Sequence, residues 1–245
     1  MPSAGTPAPG STPELGFDAA AIAATIERVH QESPIERAAL ILDSTDAFSR
    51  SSADAMRQGI ENIGASIEFE VDVSETPIEE RLEELHGQEL DAFLITPLVE
   101  QSVPIIQALR GDGFEQIIIG GNSFNTPEIT QAGEAVNGAY VGAAWNPGFE
   151  SEASERFVEA YRERFDEDPD LFAAQGYSAV YVLLDAVKRA GSTNQADIRD
   201  ALAEVSGVET PLGNISMSDR REALHDPVVQ RIESGKLVAL PPASN

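Results

Sequence analysis

Cysteine is absent from the 245 residues of this chain. That removes disulfides, thiol catalysis and thiolate metal sites, and leaves the redox compartment open. Lysine is nearly absent as well, with only Lys188 and Lys236. Lys plus Arg total 16 against 42 Asp plus Glu, a formal net charge of −26. A surface of that sign repels nucleic acid, whose binding needs clustered Lys and Arg. It also offers no basic patch to anionic lipid. Apolar runs are far shorter than a bilayer span. No charged-then-apolar leader follows Met1, and Pro2–Pro13 is instead rich in Pro, Gly, Ser and Thr.

Catalytic signatures are missing too. Gly120-Gly121-Asn122-Ser123 lacks the lysine of a phosphate-binding loop. No GxGxxG follows a strand, and no GxSxG elbow occurs. The three histidines, His30, His86 and His225, are isolated and fit solvated surface positions. With no HExxH and no paired-His spacing, no transition-metal site is expected, and a hard-cation site has no Asp-x-Asp-x-Asp-Gly loop to support it. Carboxylates are so abundant that any two could be paired as acid and base, so their presence carries no information. Acid excess with scarce lysine fits adaptation to high salt, where ions screen the self-repulsion. A merely acidic surface is the alternative.

What is present is a repeating plan. Four short apolar runs stand at Ala38–Leu42, Ile67–Val71, Ala92–Ile95 and Ile117–Ile119. Helical stretches alternate with them. Ala19–Gln31 has Asp18 as its cap candidate, and Ser51–Ile63, Pro77–Leu85 and Gln101–Arg110 follow. A short helix is expected after Pro127, and Gly138–Ala144 reads as a further strand. Unbroken apolar strands alternating with helices predict an α/β fold, a parallel sheet covered on both faces.

In such sheets ligands sit beyond the carboxyl ends of the strands. Three runs end there in small polar residues: Asp43–Asp46, Thr96-Pro97 and Gly120–Ser123. Hydroxyls, an amide and the aromatic Phe48 can grip a small polar molecule without transforming it. Phe48 also suits core packing, and Asn122 also suits a turn with positive φ. Trp145 fits a packing role where the chain crosses between halves.

Past Asn146-Pro147-Gly148 the pattern changes to long helices, Ser154–Phe165 and Ala173–Ala190. A third, Gln195–Val205, follows the cap candidate Asn194. Strand character returns at Asn214–Met217, Val228–Ile232 and Leu237–Leu240. No sheet is expected within the helical half.

The segments AAQGYSAVYVLLDAVKRAGS (Ala173–Ser192), ADIRDALAEVSG (Ala196–Gly207) and GKLVAL (Gly235–Leu240) resemble the late region of a known family. That family is the type I periplasmic binding proteins of the leucine/isoleucine/valine and amide group, which feed ABC transporters. DSTDAFSRSSADAMRQGIENIGASI (Asp43–Ile67) and LDAFLITPLVEQSVPIIQALRGDGF (Leu90–Phe114) resemble its second-lobe units. SAGTPAPGSTPEL (Ser3–Leu15) is similar to its ligand loop.

The resemblance implies two α/β lobes joined by three crossovers, with solute held between them and no cofactor. The expected parts are a parallel, flavodoxin-like sheet lobe and an incomplete second α/β lobe. The first comprises 16–145 plus 209–240, and the second 1–15 plus 146–208. Ser11 or Thr12 would bind a ligand carboxylate or amide. Phe48 would form an aromatic wall, Leu98 would line the cleft, and Asn122 would stand where amino-acid binders place an acid. Asn carries no charge to offset an ammonium group, so an α-amino acid does not follow from this set.

The resemblance also implies a permease and ATPase as partners and an extracellular or cell-surface location. Without a leader, the product would be cytoplasmic if this is its full length. The first β-α units of lobe one, and a hinge strand between Leu15 and Phe17, have no counterpart here. A truncated frame, a fragment or a decayed copy would each produce that pattern. A cytoplasmic ligand-sensing regulator on the same fold is the second reading, and an α/β enzyme the third. A partial lobe one would leave the apolar faces of Ser154–Phe165 and Ala173–Ala190 uncovered. The chain is then expected to self-associate through them, or to leave residues 150–207 loosely ordered.

Overall fold

The structure is a computed structural model and describes residues 17–149 and 151–241. The elements run α1 (Phe17–Glu32), β1 (Arg37–Leu42), α2 (Ala47–Asn62), β2 (Ser66–Asp72), α3 (Leu82–His86), β3 (Ala92–Ile95) and α4 (Val99–Gly111). Then come β4 (Ile117–Gly120), β5 (Tyr140–Ala143), α5 (Glu152–Phe165), α6 (Leu171–Ala190) and α7 (Gln195–Ala203). The chain closes with β6 (Val208–Thr210), β7 (Gly213–Met217), β8 (Ala223–Leu224), β9 (Val228–Glu233) and β10 (Lys236–Ala239).

Seven strands form one sheet in the order β10-β9-β5-β4-β3-β1-β2. The pairs among β1 to β5 are parallel, and β9 and β10 add antiparallel strands beside β5. Alternation of side chains along each strand supplies both faces. Ala39, Ile41, Phe93, Ile95 and Ile118 pack with Ile105, Ile106 and Leu109 of α4. Leu40, Leu94 and Ile119 face the other way, onto Ile22, Ile26 and Val29 of α1 and Met56 and Ile60 of α2. Gly142 lets α1 lie close on β5. A Cβ there would sit 2.5 Å from the Ala21 carbonyl oxygen, which α1 cannot vacate.

Two expected helices differ in the structure. The helix expected from Ser51 begins four residues earlier, because Asp46 caps it by accepting from the Ser49 amide at 2.7 Å. Pro77–Leu85 is a 3₁₀ turn at Ile78–Glu80 followed by the short α3, broken at Arg81 (φ −110°). Only Ile78 and Leu85 of that stretch are buried, too few anchors for a continuous helix. The start of α1 at Phe17 places Asp18 inside the first turn rather than at the cap.

Residues 151–224 build a second unit. Trp145, Phe157, Val158, Ala174, Val182, Ala186, Val205, Leu212 and Ile215 share its core. This unit has a sheet of its own, of order β6-β7-β8, contrary to the expectation of a sheetless helical half. Its turn is closed by the Thr210 hydroxyl, which accepts from the Leu212 amide at 3.1 Å and donates to the Gly213 carbonyl at 2.9 Å. The sequence reading places 209–240 wholly with the larger sheet. Here 228–239 join that sheet, while 208–224 pair among themselves. The strand expected at Asn214–Met217 is β7, but it joins this small sheet and not the large one; β6 and β8, of three and two residues, carry too little apolar periodicity to declare themselves. Among the described residues, no helix is long and apolar enough to cross a membrane.

Candidate functional site

The carboxyl ends of β1, β3 and β4 lie side by side, since these strands are neighbours in the sheet. Side-chain hydrogen bonds tie their loops together. After β1, the Asp43 amide donates to Ser49 Oγ at 2.9 Å. Ser49 Oγ lies 2.9 Å from Thr96 Oγ1, and Thr96 Oγ1 donates to the Ile41 carbonyl at 3.2 Å. With the Thr96 proton used on Ile41, Ser49 is the donor to Thr96. Both hydroxyls are fully buried, so this chain closes without solvent.

Asp43 is buried as well. Its Oδ1 accepts from the Thr45 amide and hydroxyl at 2.8 and 2.6 Å, and its Oδ2 from Gln101 Nε2 at 2.8 Å. Hydrogen bonds from Thr45 first, then Gln101, hold its carboxyl below the usual range. Beyond β3, the Pro97 carbonyl accepts from Ser102 Oγ at 2.9 Å and Ser123 Oγ at 2.8 Å. Ser123 belongs to the 3₁₀ turn Asn122–Phe124 that follows β4. A Cβ on Gly120 would sit 2.1 Å from the Phe124 ring, so glycine lets that turn fold back under the strand end.

Phe48, Leu98 and Asn122 each stand one residue from these cross-links. Phe48 is half-buried and belongs to none of the three apolar clusters. That argues against the core-packing role. Leu98 precedes α4 and is 43% exposed. Asn122 is half-buried and does not have the positive φ that a turn role would require. Ser11 and Thr12 lie outside the described residues. Trp145 is buried, donates from Nε1 to Ser154 Oγ at 2.8 Å and meets the Phe157 ring edge-on at 5.7 Å. Its role is packing at the start of the second unit.

A buried chain of amides runs back from Asn122. Asn122 Oδ1 accepts from Asn125 Nδ2 at 2.6 Å, and the same nitrogen donates to the Gly142 carbonyl at 2.7 Å. Gln230 Nε2 donates to Asn125 Oδ1, and Gln230 Oε1 accepts from Asn146 Nδ2. Asn146 Oδ1 accepts from the Gly148 amide at 2.8 Å. Sequence reasoning named Asn122 and the strand end at Thr96 but missed Asn125, Gln230 and Asn146 of this chain, along with Ser49 and Gln101. The only signal available was a polar residue directly after a strand.

Two cavities lie elsewhere. One of about 760 Å³ is lined by Ala19 and Ser51 from the sheet unit and by Gln175, Ser178, Val182 and Ile215 among others from the second unit. One of about 680 Å³ lies between α1 and the β9–β10 edge. Phe48, Leu98 and Asn122 line neither, and stand on open strand ends.

A sequence model of the periplasmic binding proteins matches residues 6–236. The chain belongs to that family. A Leu/Ile/Val-binding protein homolog from Brucella abortus is 26% identical over 117 residues. The matched stretch is 47% of this chain and 31% of that periplasmic binding protein, so the chain spans about a third of that relative. A leucine-binding protein from Thermotoga maritima superposes with TM-score 0.80 and 23% identity, over 91% of this chain and 65% of its own. A branched-chain amino acid binding protein from Streptococcus pneumoniae, in complex with isoleucine, superposes with TM-score 0.75 and 23% identity over the same shares. These superpositions show a shared type I periplasmic binding protein fold, with a mainly parallel central sheet.

Acid should release the tie at Asp72 between the loops that follow β1 and β2. Burial raises the Asp72 carboxyl, but hydrogen bonds from Ser44 and Ser74 outweigh it and hold the group at about 2. Its folded pKa lies below the unfolded value of 3.8. The stability it contributes is therefore complete above about pH 4 and lost as pH falls through 2. Asp72→Asn should flatten the decline of the unfolding midpoint across that window. An unchanged acid limb would refute the assignment.

Proposed function

We propose that this chain is the substrate-binding component of an ABC importer. It would act outside the cytoplasmic membrane, beside a permease and an ATPase. The solutes would be branched-chain amino acids, amides or related small polar molecules, held between two lobes without catalysis. The observation that carries this reading is the cross-linked set of strand ends. The network spends its polar atoms on protein partners: Asp43 uses both oxygens, and Ser49 gives its proton to Thr96. A hydroxyl fixed in that way is a positioning group, not a nucleophile awaiting a base. Phe48, Leu98 and Asn122 are left to meet a solute.

Asn122 narrows the chemistry. Its oxygen already accepts from Asn125, so its Nδ2 protons and one remaining lone pair are what it offers. An N–H donor suits a carboxylate or carbonyl oxygen, not an ammonium group. Solutes bearing a carboxylate or amide carbonyl are favoured at this position, because a neutral amide carries no charge to offset the ammonium of an amino acid.

Calorimetric titration with L-leucine, L-isoleucine and their amides tests the reading. Binding of at least one is expected. Phe48→Ala should weaken it by about tenfold, about 1.4 kcal/mol, while the unfolding midpoint barely moves. A core phenylalanine would instead cost on the order of 3–5 kcal/mol of stability. Unchanged affinity with a collapsed midpoint rejects Phe48 as a wall. Heat signals from none of these solutes reject the solute class.

A further inference from the structure

The amide chain behind Asn122 has a polarity that the backbone dictates. At its far end the Gly148 amide, which can only donate, meets Asn146 Oδ1 at 2.8 Å. The Leu237 carbonyl, which can only accept, meets Asn146 Nδ2 at 3.1 Å. Nearer the strand ends the Gly142 carbonyl accepts from Asn125 Nδ2 at 2.7 Å. These three contacts fix which atom of the Asn146 and Asn125 amides is nitrogen.

Gln230 lies between the two fixed amides and is buried. It accepts from Asn146 Nδ2 through Oε1 and donates to Asn125 Oδ1 through Nε2. Turned over, it would set N–H against N–H at one end and oxygen against oxygen at the other. Asn125 gives its remaining proton to Asn122 Oδ1 at 2.6 Å. Turning Asn122 over would bring two N–H groups together with no acceptor between them. The orientation set at Asn146 and Gly142 is thus passed along to Asn122. No described residue accepts from Asn122 Nδ2.

We propose that Asn125, Gln230 and Asn146 are positioning residues that select the solute through Asn122. They hold its nitrogen away from Asn125 and toward the solute, so this wall discriminates by hydrogen-bond polarity and carries no charge. The proposal rests on the reading that Asn122 meets solute. A carboxylate at that position would need no such device, because its two oxygens are alike. An amide has two unlike ends and has to be held one way round. One lone pair of Oδ1 stays unspent beside the bond from Asn125, so the outcome is a preference for acceptor head groups over donor ones.

Two solutes with similar branched chains separate selection from plain support. The head of 4-methylpentanoate only accepts, and that of 3-methylbutylammonium only donates. Calorimetry at one high KCl concentration would titrate both into the full chain and into its Asn125→Leu variant. That substitution adds no charge and frees the Asn122 amide to turn. Affinity for the carboxylate should fall several-fold, while affinity for the ammonium holds or rises. The unfolding midpoint should fall as well, because the Gly142 carbonyl and Gln230 each lose a partner. A purely structural loss would weaken both solutes alike, and equal weakening overturns the proposal. A second measurement needs neither variant nor solute: NMR scalar couplings across hydrogen bonds in the unaltered protein. A coupling is expected from Asn125 Nδ2 to the side-chain carbonyl carbon of Asn122. The reverse coupling, or none, overturns the lock. Heat from neither solute, with the expected coupling present, overturns the solute reading and not the lock.

Discussion

Raising KCl from about 0.05 M to about 2 M should lift the unfolding midpoint of this chain on the order of 10 °C. The reason lies in the balance of many small terms. The surface holds ion pairs such as Arg28–Glu32 at 2.7 Å and Arg57 between Asp54 and Glu70 at 2.9 and 2.8 Å. Pairs of that exposed kind contribute about 0–1 kcal/mol each and lose little to screening. Against them stand 42 acidic residues and 16 basic ones. Most carboxylates therefore meet only other carboxylates at longer range, and it is this repulsion that salt removes. A shrinking Debye length, from about 10 Å at 0.1 M to about 3 Å at 1 M, acts on all of them together. Calorimetry across a KCl series would measure the effect. A midpoint that stays level or falls would mean that the acidic surface is no adaptation to salt.

Trp145→Ala should unfold one part of the molecule and spare the other. The indole is buried against Phe157 and bonded to Ser154, in a core that shares no member with the two flanking the large sheet. Losing it should cost about 3–5 kcal/mol, together with the orphaned Ser154 hydroxyl. Hydrogen exchange should then rise through residues 152–224, while amides of β1, β3 and β4 keep their protection. Equal loss of protection in both regions would show one cooperative unit instead of two.

The sheet strands were readable because they are buried on both faces. In β1, β3 and β4 almost every residue is apolar, and the runs stop where the polar loops begin. The expected limits of β3, Ala92–Ile95, match the strand residue for residue. The long helix α6 was readable from its stripe, although the stripe did not say which side was covered. Harder cases had distant or weak signals. Gln230 meets Asn125 from 105 residues away, and no local pattern announces such a pairing. β7 was readable as a strand but its partners were not, since β6 and β8 are so short that they resemble loops. Phe48, Leu98 and Asn122 could be named as candidates because sheet geometry says where strands must end. Their supports Ser49 and Gln101 were missed, and Thr96 was seen only as a polar strand end, because a buried hydroxyl or amide looks in sequence like any surface one.

The buried amide chain also decides where this molecule can bend. Asn146 is clamped through its Nδ2, which donates to Gln230 of β9 and, at 3.1 Å, to the Leu237 carbonyl of β10. The strand leaving the sheet is therefore rigid as far as that residue. Among the described residues the chain passes to the second unit at 147–149 and returns at 225–227, so a swing of that unit would pivot there. Asn122 sits at the far end of the same rigid strut. A solute gripped there would be held by the stationary jaw, and the moving jaw would have to come to it.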